Sequence, residues 1–117
     1  MRHRLTTKKL NRPKANREAL KKALANSFIL HERITTTEAR AKYIKPFVEK
    51  LVTASKTSSL AQRRRLISLL GNERNANKLL TKVGPRFAKR NGGYTRIIKL
   101  GQRQGDGAAI VSLEFVE

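Results

Sequence analysis

The chain of 117 residues has no cysteine and no tryptophan, three prolines, six aromatic residues and only eight carboxylates. Without cysteine, disulfides, thiolate metal sites and thiol chemistry are excluded. With so few acids, spread along the chain, a magnesium site has no convincing ligand set, and Asp106 stands alone in a turn segment. The two histidines, His3 and His31, lie far apart and have no cysteine partners, which argues against zinc. No stretch is apolar for the roughly 18 residues a membrane-spanning helix needs. The N-terminus, Met1-Arg2-His3-Arg4-Leu5-Thr6-Thr7-Lys8-Lys9, lacks the apolar run of a secretory signal, so a cytosolic location is expected. No Lys-Ser/Thr follows Asn91-Gly92-Gly93 at the offset of a phosphate loop. Nothing in the chain forms a catalytic constellation, and no cofactor or small-molecule substrate is implied.

What the chain has instead is positive charge: 27 Lys and Arg give a formal net charge of +19. Two like charges about 10 Å apart in water repel by roughly 0.4 kcal/mol before screening, so this excess burdens the isolated fold. A polyanionic partner removes the burden, and nucleic acid is the first choice. Residues 1–12 form a basic arm, with Arg2, Arg4, Lys8, Lys9 and Arg12 beside His3 and no acid. The remaining residues, 13–117, read as one domain.

A first helix is expected from Pro13, capped by Asn11 or Arg12, with Leu20, Ala23, Leu24, Ser27 and Phe28 as its apolar stripe. Arg17, Lys21 and Lys22 lie off that stripe and are expected to face RNA. Glu32 to Thr36 reads as a short strand, and Thr35 with Glu38 has capping-box spacing. Ile44, Phe47, Val48, Leu51 and Val52 make the core face of the next helix, which Pro46 should kink. A third helix is capped within Thr57-Ser58-Ser59, turns Leu60, Ile67 and Leu70 inward and stops at Gly71. Of its cations Arg63, Arg64 and Arg65, one or two can meet phosphate, because consecutive helical residues face apart. Asn72 caps a last helix bearing Ala76, Leu79, Leu80 and Val83, with Gly84 as a left-handed cap and Pro85 as the stop.

The C-terminal segment is the most informative. A basic loop with Arg86, Lys89 and Arg90 ends in Gly92-Gly93, and a strand follows over 94–100 with Arg96 and Lys99. A turn over 101–107 leads to a second strand in which Ala109, Val111, Leu113 and Phe115 alternate with Ile110, Ser112 and Glu114. The order is helix, strand, three helices, two strands. With Phe28, Phe47 and Phe115 assigned to the core, Tyr94 is the best stacking candidate among the remaining aromatics. So few aromatics favour backbone and shape recognition of a folded RNA over reading of bases. Charge alone leaves a DNA-compacting, nucleoid-type protein open, and a ribonuclease using His3 and His31 is a remote third class.

Several segments resemble the bacterial large-subunit ribosomal protein family numbered seventeen. They are Met1-Arg2-His3-Arg4, His31-Glu32-Arg33-Ile34 with Thr36-Thr37, Ala41-Lys42, Gly84-Pro85-Arg86-Phe87, Arg90 to Ile97, and Gly101 with Arg103, Gly105 and Asp106. The likeness covers nearly the whole chain, and Gly-Gly-Tyr-Thr-Arg is its most specific part. Where many members enter the first helix through a Ser-Ser-His-Arg-like segment, this chain has Pro13-Lys14-Ala15-Asn16 before Arg17. The resemblance implies an α+β, two-layer domain of order α-β-α-α-α-β-β with a small mixed three-stranded sheet. It also implies a structural, non-enzymatic role in the large subunit, bound to its ribosomal RNA near the peptide-tunnel exit. Neighbouring ribosomal proteins, including the one numbered thirty-two, would be partners. The RNA-contacting residues expected are Arg2, His3, Arg4, Lys8, Lys9, Arg12, Lys14, Arg17, Lys21, Lys22, Arg64, Arg86, Lys89, Arg90, Gly92, Gly93, Tyr94, Arg96 and Arg103.

Overall fold

The computed structural model describes residues 14–116. The basic arm, the expected Asn11 or Arg12 cap and the start at Pro13 lie outside the described residues. Helix α1 (Lys14–His31) leads to strand β1 (Arg33–Thr37), then to α2 (Glu38–Ser55) and α3 (Leu60–Leu70). Helix α4 (Glu73–Lys78) passes through a π-helical turn (Leu79–Val83) into a last turn, α5 (Gly84–Arg86). Strands β2 (Thr95–Gln102) and β3 (Ala109–Phe115) close the chain. The order matches the expectation, with 73–86 as one helical run.

The sheet runs β1-β3-β2, and both pairings are antiparallel, so it is not mixed in direction. Because β3 lies in the middle, its polar positions are covered by neighbours on both sides. Ser112 and Glu114 are therefore buried alongside Val111, Leu113 and Phe115. The helices cover one face of the sheet. Phe28 of α1 meets Phe115 at 4.5 Å between ring centroids, and Phe87 joins the same stack at 5.6 Å. Ala25, Phe28 and Ile29 of α1 and Ala41, Ile44, Val48, Leu51 and Val52 of α2 fill the layer between. Each large apolar side chain buried there contributes about 1.5–3 kcal/mol. The stripe on α1 is thus turned from the expected one: Ala23 is exposed, and Leu24 is half-buried.

Local chemistry sets most boundaries. Gln62 donates its backbone N–H to Ser59 Oγ at 3.2 Å, and Asn75 donates to Asn72 Oδ1 at 3.0 Å. Gly71 stops α3 in the left-handed conformation at φ 65°. The cap of α2 is Thr37, which accepts from Arg40 N at 3.4 Å, so no capping box forms from Thr35. Helix α2 continues through Pro46 as one element, with the proline on its exposed side. Leu60 is 61% exposed and does not join the core of α3, which is held by Leu66 and Leu70.

Gly84 is neither a left-handed cap nor a stop: it is right-handed at φ −55° and sits inside the helical run. A Cβ there would collide with the carbonyl oxygen of Ser55 on α2. Its glycine is a close-approach residue, allowing two helix backbones to touch. The π turn opens the helix just before Pro85, whose ring would otherwise crowd the carbonyl four residues back.

Candidate nucleic-acid interface

The basic loop between α5 and β2 is fixed at both ends. At its start, Phe87 is buried, and Arg90 N donates to Phe87 O at 3.0 Å. At its end, the carboxylate of Glu49 on α2 accepts from Tyr94 N at 3.1 and 3.0 Å and from Thr95 Oγ1 at 3.2 Å. In between, Lys56 Nζ donates to the Arg90 carbonyl and lies 4.8 Å from the centre of the Tyr94 ring. Gly92 and Gly93 take φ values of 136° and 61°, which only glycine adopts without strain at the first and glycine favours at the second. Lys89 and Arg90 project from this braced segment and are exposed.

Tyr94 is not a stacking platform. Its ring is 2% exposed, packs 5.3 Å from Phe87, and its hydroxyl meets Thr53 Oγ1 at 3.2 Å. The position after Gly92-Gly93 turns inward because Glu49 binds the adjoining backbone amide.

The other cations fall into two groups. Arg86 pairs with Glu32 at 2.6 Å and lies 5.8 Å from the Phe115 ring. Arg96 and Arg33 flank Glu114, each at 2.9 Å, forming a cross-strand row over β1, β3 and β2. Arg103 pairs with Asp106 across the hairpin turn at 2.5 Å. Lys21 stays near α2, 5.2 Å from the Phe47 ring, and lies 3.6 Å from Glu18. Arg17 is half-buried, and its Nε has no hydrogen-bond partner among the described residues. By contrast, Lys14, Lys22, Arg64, Lys89 and Arg90 are exposed and pair with no described carboxylate. The residues Arg2, His3, Arg4, Lys8, Lys9 and Arg12 lie outside the described residues.

These pairings shape the electrostatics. The Arg96 guanidinium first, and Arg33 second, hold the Glu114 carboxyl below the usual range. Arg103, with help from the Ala108 amide, brings Asp106 down to about 2. Arg86 and then Lys78 lower Glu32, although partial burial opposes them. Glu32 adopts φ 62°, a left-handed position rarely taken by glutamate, and its ion pairs hold it there. An arginine has five N–H donors, and a carboxylate engages only some of them, so Arg33 and Arg96 keep donors for a further anion.

Sequence reasoning missed Glu49, Lys56, Lys78 and Arg33 as supporting residues. Lys78 donates to the carbonyls of Ile29 and Leu30 at 2.8 and 3.1 Å, closing the end of α1 beside His31. No local pattern marks any of these, because each acts on a segment distant in the chain. Among the described residues, no group of acids and histidines is placed to hold a metal, and no helix is long and apolar enough to cross a membrane.

The family profile described as Ribosomal protein L17 matches residues 20–116. A large ribosomal subunit protein bL17 from Hydrogenobaculum sp. is 48% identical over the whole of both chains. Its counterpart from Natranaerobius thermophilus is 47% identical over 97% of this chain and all of its own length. That of Orientia tsutsugamushi is 47% identical over all of this chain and 81% of its own.

Proposed function

The chain belongs to the ribosomal protein L17 family, and from that premise we propose that it binds large-subunit ribosomal RNA through its basic arm, α1 and the loop before β2. It is a structural constituent of the bacterial large ribosomal subunit and not an enzyme, and it works on the ribosome in the cytoplasm. The observation that carries the RNA reading is the braced loop. Glu49, Lys56 and the Phe87–Tyr94 contact hold its backbone still, while Lys89 and Arg90 pair with no carboxylate among the described residues. Rigid cations suit a prefolded polyanion, since little side-chain or loop entropy is lost on binding.

In this reading residues 1–12 are an arm that threads into RNA, and 13–117 are the domain that carries it. Lys14 and Lys22 extend the phosphate-binding surface along α1, and Arg64 adds a contact from α3. Arg86, Arg96 and Arg103 contribute through the N–H groups their carboxylates leave unused. Gly92 and Gly93 allow close approach of RNA to the loop, whereas Tyr94 supports the loop from inside. Placement near the peptide-tunnel exit, beside the ribosomal protein numbered thirty-two, belongs to the same proposal and rests on family resemblance.

Competition between large-subunit ribosomal RNA and random duplex DNA at fixed salt tests this. The expected result is clear preference for the RNA, and equal affinity would contradict it. Retention on large subunits in sucrose gradients after a high-salt wash is the companion expectation.

A further inference from the structure

Beside the braced loop lies an open groove bounded by α2, α3 and Gly92, lined by Lys50, Thr53, Gln62 and Arg65, with Glu49 and Tyr94 at its inner side. The helix triplet Arg63-Arg64-Arg65 is sorted here by its own geometry. Arg63 is turned away to Glu73 at 2.6 Å and to Asn77, and Arg64 is exposed. Arg65 alone of the three lines the groove. Lys50 of α2 lies on the opposite wall.

We infer that this groove holds the backbone of an RNA strand, with one or two phosphodiester groups seated between Lys50 and Arg65. Three features favour an anion with ester oxygens and extended shape. Both walls carry an exposed cation with no carboxylate partner among the described residues, and Gln62 supplies a side-chain amide between them, while the Thr53 hydroxyl is taken up by the Glu49 carbonyl and the Tyr94 hydroxyl. The Glu49 carboxylate, the one negative group present, is engaged by the Tyr94 amide and the Thr95 hydroxyl. Gly92 lines the groove, its amide has no hydrogen-bond acceptor among the described residues, and a Cβ built on it would meet nothing within 4 Å. An unpaired backbone N–H beside two cations suits an anion. The loop that carries Lys89 and Arg90 reaches the groove at Gly92, so a strand bound to that loop has a path into it. A free phosphate would leave most of it unfilled.

This inference rests on the RNA-binding reading and adds a site to it. The test uses the full-length chain and a large-subunit ribosomal RNA transcript, with affinity measured across a salt series and phosphate contacts mapped by ethylation interference. Lys50→Gln with Arg65→Gln should lower the slope of log K against log salt by about 0.7 per cation on single-stranded RNA or about 0.9 on duplex. The same variant should lose one or two interfering phosphates from the wild-type map. Arg65→Lys should keep most of the slope, and Lys82→Gln, an exposed cation outside the groove, should leave the map unchanged. Unchanged melting temperatures would establish that each variant is folded. A wild-type slope with no loss in the double variant, or an equal loss in Lys82→Gln, would overturn the groove while leaving RNA binding intact. A wild type that fails to bind the transcript would overturn both.

Discussion

At Gly84 one missing methyl group decides how two helices meet. Gly84→Ala would drive a Cβ into the Ser55 carbonyl, and overpacking of this kind costs about 1–3 kcal/mol. Urea denaturation should show that loss, and a neutral result would mean that the helices separate easily. Tyr94 gives a second test, because a core role predicts lost stability in Tyr94→Ala, whereas a stacking role predicts lost RNA affinity with stability unchanged. Tyr94→Ala should destabilise by about 3–5 kcal/mol, as for other large buried aromatics. Tyr94→Phe, which keeps the ring and loses the bond to Thr53, should bind ribosomal RNA as tightly as wild type. Glu114 sets a third expectation through pH. Its carboxyl is lowered in the fold by Arg96 and Arg33, so its stabilisation is present above the ordinary value of about 4.3. It is then lost as pH falls through the lowered folded value. Glu114→Gln should therefore flatten the decline of stability on the acid side, seen in urea midpoints as pH falls below the ordinary carboxylate range.

Among the elements, those defined by neighbouring residues were legible in the sequence. Ser59, Gly71 and Asn72 mark helix ends by chemistry that acts within a turn or so, and the alternation in β3 marked its inward face. Features that depend on distant partners were not. Gly84 before Pro85 has the local look of a helix stop, yet its role is set by Ser55 on another helix. Burial of Ser112 and Glu114 follows from the central place of β3, which alternation along one strand does not reveal. Of the expected site, the loop and its glycines were readable, whereas the sorting of cations was not. Arg33 and Arg96 meet across the sheet at Glu114, and only the strand register brings them together. The loop itself makes a prediction at this scale. Glu49→Gln weakens the clamp on the Tyr94 amide and the Thr95 hydroxyl, so hydrogen exchange at the Tyr94 amide should accelerate before global unfolding does. Unchanged exchange there would show that the loop is held by other contacts.

For the molecule as a whole, a charge of +19 on 117 residues is balanced inside the fold only in part. Ion pairs quiet Arg33, Arg63, Arg86, Arg96 and Arg103, and the surplus includes cations on α1, on the loop before β2, and at Lys50, Arg64, Arg65 and Lys82. Removing residues 1–12 should leave the melting temperature of the domain nearly unchanged and weaken RNA binding, whereas collapse of the domain would contradict an arm that acts only on RNA. The most direct measurement is the affinity for large-subunit ribosomal RNA as a function of salt. Five of the exposed cations that pair with no described carboxylate, Lys14, Lys22, Arg64, Lys89 and Arg90, by themselves predict a log–log slope at least as steep as about −3.5 to −4.5. A slope near zero would mean that the surplus charge does not neutralise phosphate, and the account would be wrong.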